Sequence, residues 1–141
     1  MSDGAEGRVR TPPRERFAPA EEMFDLAAVA EKLLAEPGSG RHGHRQMTLF
    51  RHGPATLALF CFEEADARFP DHVVDGVVII QVLKGRLTVH TEQSAHEMQA
   101  GQVLRLGPNV RHDVVAAEPS QMLLTVCVEG PGSHAGGGEK A

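Results

Sequence analysis

A chain of 141 residues with 14 Lys/Arg against 19 Asp/Glu has the volume for one ordinary core and a formal charge of −5. An acidic chain without Trp or Tyr and with only six Phe excludes nucleic acid as the main partner, because that role needs clustered cations and stacking platforms. No stretch approaches the roughly eighteen apolar residues of a membrane helix, and Met1–Arg8 lacks the apolar core of a secretory signal. The expected setting is cytoplasmic.

In chain order, residues 1–20 are rich in Arg, Pro and Gly with little apolar content, and a disordered leader is expected there. One domain is expected over 21–129. Leu26, Val29, Ala30, Leu33 and Leu34 recur at three- and four-residue spacing, which predicts an amphipathic helix over 25–36. Asp25 is its N-cap and Pro37-Gly38 its stop, with Phe24 and Val29 at staple positions. Its apolar stripe needs a cover, either the outer wall of the domain or a partner subunit.

From Met47 onward the apolar runs are short and rich in Val, Leu, Ile and Thr. Strands are expected near 47–51, 56–62, 77–83, 86–91, 96–99, 103–106, 112–116 and 121–128, with breakers such as Gly53-Pro54, Pro70-Asp71, Lys84-Gly85 and Gly107-Pro108 between them. This pattern predicts an antiparallel sandwich or barrel. The runs around Val77–Leu83 and Met122–Val128 are apolar on both faces, so one face lines the interior and the other meets the helix or a second subunit. A homodimer is expected. Residues 130–141 read as a flexible tail.

Two segments carry a resemblance. Asp66-Ala-Arg-Phe-Pro-Asp-His72-Val-Val74 running to Gly85, and Gly101-Gln-Val-Leu-Arg-Leu-Gly107-Pro-Asn109-Val-Arg-His112, together resemble the two motifs of the cupin family. The likeness spans about residues 24–128, and Gln81-Val-Leu-Lys-Gly-Arg-Leu looks like a stretch of many small bacterial single-domain cupins. His72, Gly85, Gly101 and His112 match the motifs. Val74 stands where the second His belongs, Val78 where the Glu belongs and Asp66 where the first Gly belongs; Gly107, Asn109 and Ala116 replace the Pro, Gly and Asn of the second motif. The resemblance implies an all-β fold, the double-stranded β-helix or RmlC-like jelly roll, with one helix before it.

It also implies that the faces carrying His72 and His112 point into the barrel mouth. There the two His would be the metal ligands for one divalent transition metal (Zn, Fe, Mn or Ni), with Asp75 or His90 as candidate third ligand. Where two imidazoles meet apolar Val74 and Val78, a ligand pocket is the other reading, lined by Val74, Val78, Ile80, Val114 and Ala116 with His72 and His112 as its polar groups. Strand alternation sends Asp71 and Asp113, the chain neighbours of these His, to the opposite face.

His42-Gly-His44 is a literal His-x-His, but it precedes the expected strands and has no carboxylate four residues on, where Thr48 stands, so it reads as a solvated loop. Cys61 and Cys127 read as buried, inert free thiols, with a single disulfide between them as the other reading. No phosphate loop or nucleophile motif is present. The function expected is a small-molecule-binding barrel with little or no catalysis. The alternatives are a metal-dependent dioxygenase or isomerase, and a purely structural dimeric module.

Overall fold

A computed structural model describes residues 19–38, 40 and 42–128; the expected tail and all but the end of the expected leader lie outside them. Among the described residues, helix α1 (Leu26–Ala35) is followed by nine strands: β1 (His44–His52), β2 (Ala55–Phe62), β3 (Arg68–His72), β4 (Gly76–Lys84), β5 (Arg86–Thr91), β6 (Ala95–Gln99), β7 (Val103–Leu106), β8 (His112–Ala116) and β9 (Ser120–Val128). They form a five-stranded sheet in the order β1-β2-β9-β4-β7 and a four-stranded sheet in the order β3-β8-β5-β6, all pairs antiparallel. Two facing sheets with this crossing connectivity are the expected jelly roll.

Alternation places the core. On β4, Val78, Ile80 and Val82 are buried, while Val77, Ile79, Gln81 and Leu83 are only half covered. The inward set joins Phe60, Phe62, Leu87, Val89, Val114, Ala116 and Met122 in the main cluster. A second cluster lies on the outer face of the five-stranded sheet, where Ala30 and Leu33 of α1 cover Leu59 and Cys61, flanked by Met47 and Leu83. The helix therefore packs on the barrel wall. Asp25 caps it as expected, accepting from the Ala28 N–H at 3.2 Å, and Phe24 stacks on Phe50 of β1. Among the described residues no helix is long and apolar enough to cross a membrane.

Two elements differ from the sequence expectation. β3 falls where Pro70-Asp71 reads as a breaker. The strand lies at a sheet edge, where a missing N–H is tolerated, and its pairing with β8 shifts register between Phe69 and His72. β1 begins at His44 rather than Met47, because Gly43 at φ 82° turns the chain directly into the ladder, where His44 pairs with Phe62.

The backbone keeps the geometry that the resemblance implies even where its glycines are gone. Gly85 and Gly101 have φ 83° and 91°, and Asp66 and Asn109, which stand in for the other two motif glycines, have φ 72° and 62°. Asn and Asp are the residues that best tolerate the left-handed region after glycine. At Gly85 no substitute fits, since an added Cβ would lie 2.4 Å from the Pro119 carbonyl.

Candidate ligand cavity

The two sheets part at one end to leave a cavity of about 420 Å³. Its apolar wall comes from Ala58 and Phe60 of β2, Phe69 of β3, Val78 of β4, Leu124 and Val126 of β9, and Val74 in the β3–β4 link. The polar groups are His44, Gln46, Thr48 and Arg51 from β1, Thr56 from β2, His72 at the end of β3 and His112 at the start of β8, with His42 at the edge. Bounded by both sheets, this is the barrel mouth into which the resemblance implies that the faces carrying His72 and His112 point.

His72 and His112 are Cα partners across β3 and β8, and their ring centroids lie 6.3 Å apart. His112 is 2% exposed, and its Nδ1–H donates to the Val110 carbonyl at 3.0 Å, which leaves Nε2 free of that bond. The His72 ring rests on Phe69 at 3.9 Å between centroids. Burial lowers the His72 pKa from its ordinary 6.5, the facing His112 and then His44 push the same way, and Asp71 opposes them. The His72 imidazole is therefore neutral at physiological pH.

That depression has a consequence for stability. Between the folded-state pKa and 6.5 the unfolded chain binds more protons at this position than the folded one, so stability rises with pH there. The His72 contribution is whole above 6.5 and is lost as pH falls through the folded pKa. Urea midpoints taken from neutral into mildly acid buffer should fall, and His72→Gln should flatten that decline. An unchanged slope in the variant would remove His72 as its source.

The two motif segments are joined at the cavity by backbone and side chain: the Asn109 N–H donates to the Val74 carbonyl at 2.8 Å and its amide reaches Asp75 Oδ1 at 3.4 Å. Asp75 is thereby held outside, exposed, and is not on the cavity wall. His90, the other candidate third ligand, is exposed on the outer face of β5, because the buried residues of that strand are Leu87 and Val89. Among the described residues no three His, Cys, Asp or Glu are grouped so as to hold a metal ion. Of the five expected pocket residues, Val74 and Val78 line the cavity, whereas Ile80, Val114 and Ala116 are sealed into the core. Asp71 and Asp113 do face away: they pair with Arg111 at 2.9 Å and Arg68 at 3.3 Å.

His44 corrects the loop reading. It is 6% exposed, its Nδ1–H donates to the Arg68 carbonyl at 2.7 Å, and Nε2 meets the Gln46 amide at 3.1 Å. Its ring packs against Phe60, Phe62 and Phe69 at 5.5–5.8 Å. The alternation His44-x-Gln46-x-Thr48 was a legible signal of one polar strand face. Arg51 breaks that parity, and the register shift between Thr48 and Phe50 is what returns it to the cavity side. The cysteines also differ from each other. Burial, then Glu63, pushes the Cys61 thiol up to about 11, which makes it inert, whereas Cys127 is exposed; both are free thiols.

Comparison with known proteins agrees with this geometry. The family model described as the AraC-like ligand binding domain matches residues 56–135. No curated protein matches the chain. Among solved structures, a cupin superfamily protein from Desulfitobacterium hafniense superposes with a TM-score of 0.63 at 17% identity, covering 79% of this chain and 94% of that one. An RmlC-like cupin from Shewanella frigidimarina gives a TM-score of 0.58 at 16% identity, covering 66% and 83% of the two chains. A mutant salicylate 1,2-dioxygenase from Pseudoaminobacter salicylatoxidans gives 0.60 at 14% identity, over 72% of this chain and 32% of the enzyme. At these identities the likeness is one of fold.

Proposed function

This chain belongs to the family of AraC-like ligand-binding domains, and we propose that it works as a small-molecule-binding barrel and not as a metalloenzyme. One observation carries the reading: a cavity of about 420 Å³, walled by apolar side chains from both sheets and edged by a few polar groups. Its size and make-up are those of a site that encloses a small organic molecule and orients it by a few hydrogen bonds. His72 and His112 supply such bonds, and the Nδ1 contact of His112 with the Val110 carbonyl leaves its Nε2 for the ligand.

The donor set argues against a resident metal. A catalytic transition-metal site needs three protein ligands. Although four His border the cavity, among the described residues no three His, Cys, Asp or Glu are grouped to hold a metal, with Val74 and Val78 standing beside His72 and His112. No chemical step is therefore routed through a metal. Protein purified without chelators is expected to hold well under one equivalent of any transition metal by elemental analysis, and to keep its fold in EDTA. One equivalent of a single metal, lost in His72→Ala, would overturn the proposal and favour an oxygenase or isomerase.

The same reading includes a second copy of the chain. α1 covers only part of the outer face of the five-stranded sheet, and Ile79 and Leu123 remain half covered there beside Val103, which is 58% exposed. Sedimentation of the same preparation should give the mass of a dimer; a monomer across the accessible concentrations would remove this part.

A further inference from the structure

The cavity wall has a charge bias that its apolar size does not require. Among the described residues, every ionisable side chain on it is a base: His42, His44, Arg51, His72 and His112. No described Asp or Glu lines it, although the chain as a whole carries a formal charge of −5. The permanent cation of this set is Arg51, at the exposed edge of the cavity where β1 runs into the β1–β2 turn.

Arg51 also has no acidic partner among the described residues. Arg45, Arg68 and Arg111 each pair with a carboxylate, from Glu63, Asp113 and Asp71. Among the described residues the Arg51 guanidinium makes one side-chain bond, from Nε to Thr56 Oγ1 at 3.3 Å. That bond fixes the plane of the group and leaves its terminal N–H donors to a ligand. A guanidinium fork presented in this way matches a carboxylate, which accepts two parallel N–H bonds.

We propose that the ligand is a small organic carboxylate with an apolar body, its charged end on Arg51 and Thr56 and its body against Phe60, Val78, Leu124 and Val126. This deepens the ligand-binding reading and rests on it. Arg51 stands at the exposed edge, so the apolar walls hold the body of the ligand while its charged end meets the guanidinium at the solvent boundary. The bulge between Thr48 and Phe50 has a role in this scheme, since without the register shift Arg51 would stand on the outer face.

The test uses the full chain and matched probes: benzoate, phenylacetate and cyclohexanecarboxylate, each titrated by calorimetry beside its primary amide. The acids should bind about tenfold to a hundredfold tighter than the amides, the range of one charge-assisted contact. Arg51→Gln should erase that preference by weakening the acids about tenfold or more and the amides far less, and Arg51→Lys should restore part of it. Equal binding of acids and amides would overturn the carboxylate assignment and leave the ligand cavity standing. An acid preference that survives Arg51→Gln would overturn the role of Arg51. If no probe binds, acid or amide, the cavity reading falls and the inference with it.

Discussion

Phe60→Ala is expected to lower unfolding free energy by about 3–5 kcal/mol, the cost of deleting a large aromatic side chain from a packed interior. Phe60 is 1% exposed, and its ring centroid lies 4.5 Å from Phe69, 5.5 Å from His44 and 6.4 Å from Phe62. These rings belong to β1, β2 and β3, so the cluster ties the two sheets together beside the cavity. The wall on this side cannot close over the gap, because Phe60 itself borders a space that is already open. Loss of its ring merges the old cavity with the new one. Denaturant unfolding of Phe60→Ala beside Leu124→Ala measures this: Leu124 is half buried and should cost distinctly less. Near-equal losses would mean that the aromatic cluster is no stiffer than the rest of the lining. Since small domains are stable by only about 5–15 kcal/mol, Phe60→Leu is the milder variant if the alanine form does not fold.

The jelly roll was legible because its evidence is periodic and local. Turn residues recur between short β-rich runs, and most strands lie within a few residues of where alternation and breakers put them. β3 was not legible, because Pro70 reads as a stop unless its edge position is already known. The resemblance to cupins held at the level of backbone. Asp66 and Asn109 depart from the motif in side chain yet adopt the left-handed conformation that its glycines serve. Composition alone does not carry that fact, since either residue also occurs in ordinary turns.

The cavity was half legible. His72, Val74, Val78 and His112 could be placed because the motif spacing fixes them relative to two turns. Ile80, Val114 and Ala116 share faces with them, but the sheets converge with depth, and a face that lines a cavity at one end of a strand is core at the other. Arg51 and His44 escaped for a different reason. They depend on where β1 starts and on a one-residue register shift, and single-residue events of that kind reverse every assignment beyond them. A guanidinium aimed at the cavity wall is thus a tertiary property.

Restoring the two missing motif residues tests the placement of that wall most severely. In Val74→His with Val78→Glu, the side chains at 72, 74, 78 and 112 would all be metal-ligand types, and all four positions border the same cavity. The Val74 carbonyl is already tied to the Asn109 N–H, which holds this link in place relative to His112. Divalent zinc or nickel should bind the double variant at least about a thousandfold tighter than wild type, or roughly 4 kcal/mol, since four ligands replace two. Without metal the variant should be less stable. Val78 is 2% exposed, and a carboxylate there loses its hydration with no cation to answer it. Its melting temperature should therefore climb steeply with added metal, whereas that of wild type should not respond. The single substitution Val74→His, which offers three imidazoles without the buried acid, should fall between the two. If the double variant binds metal no better than wild type, positions 74 and 78 do not converge with His72 and His112. The alignment of the first motif would then be wrong, and with it the assignment of this cavity wall.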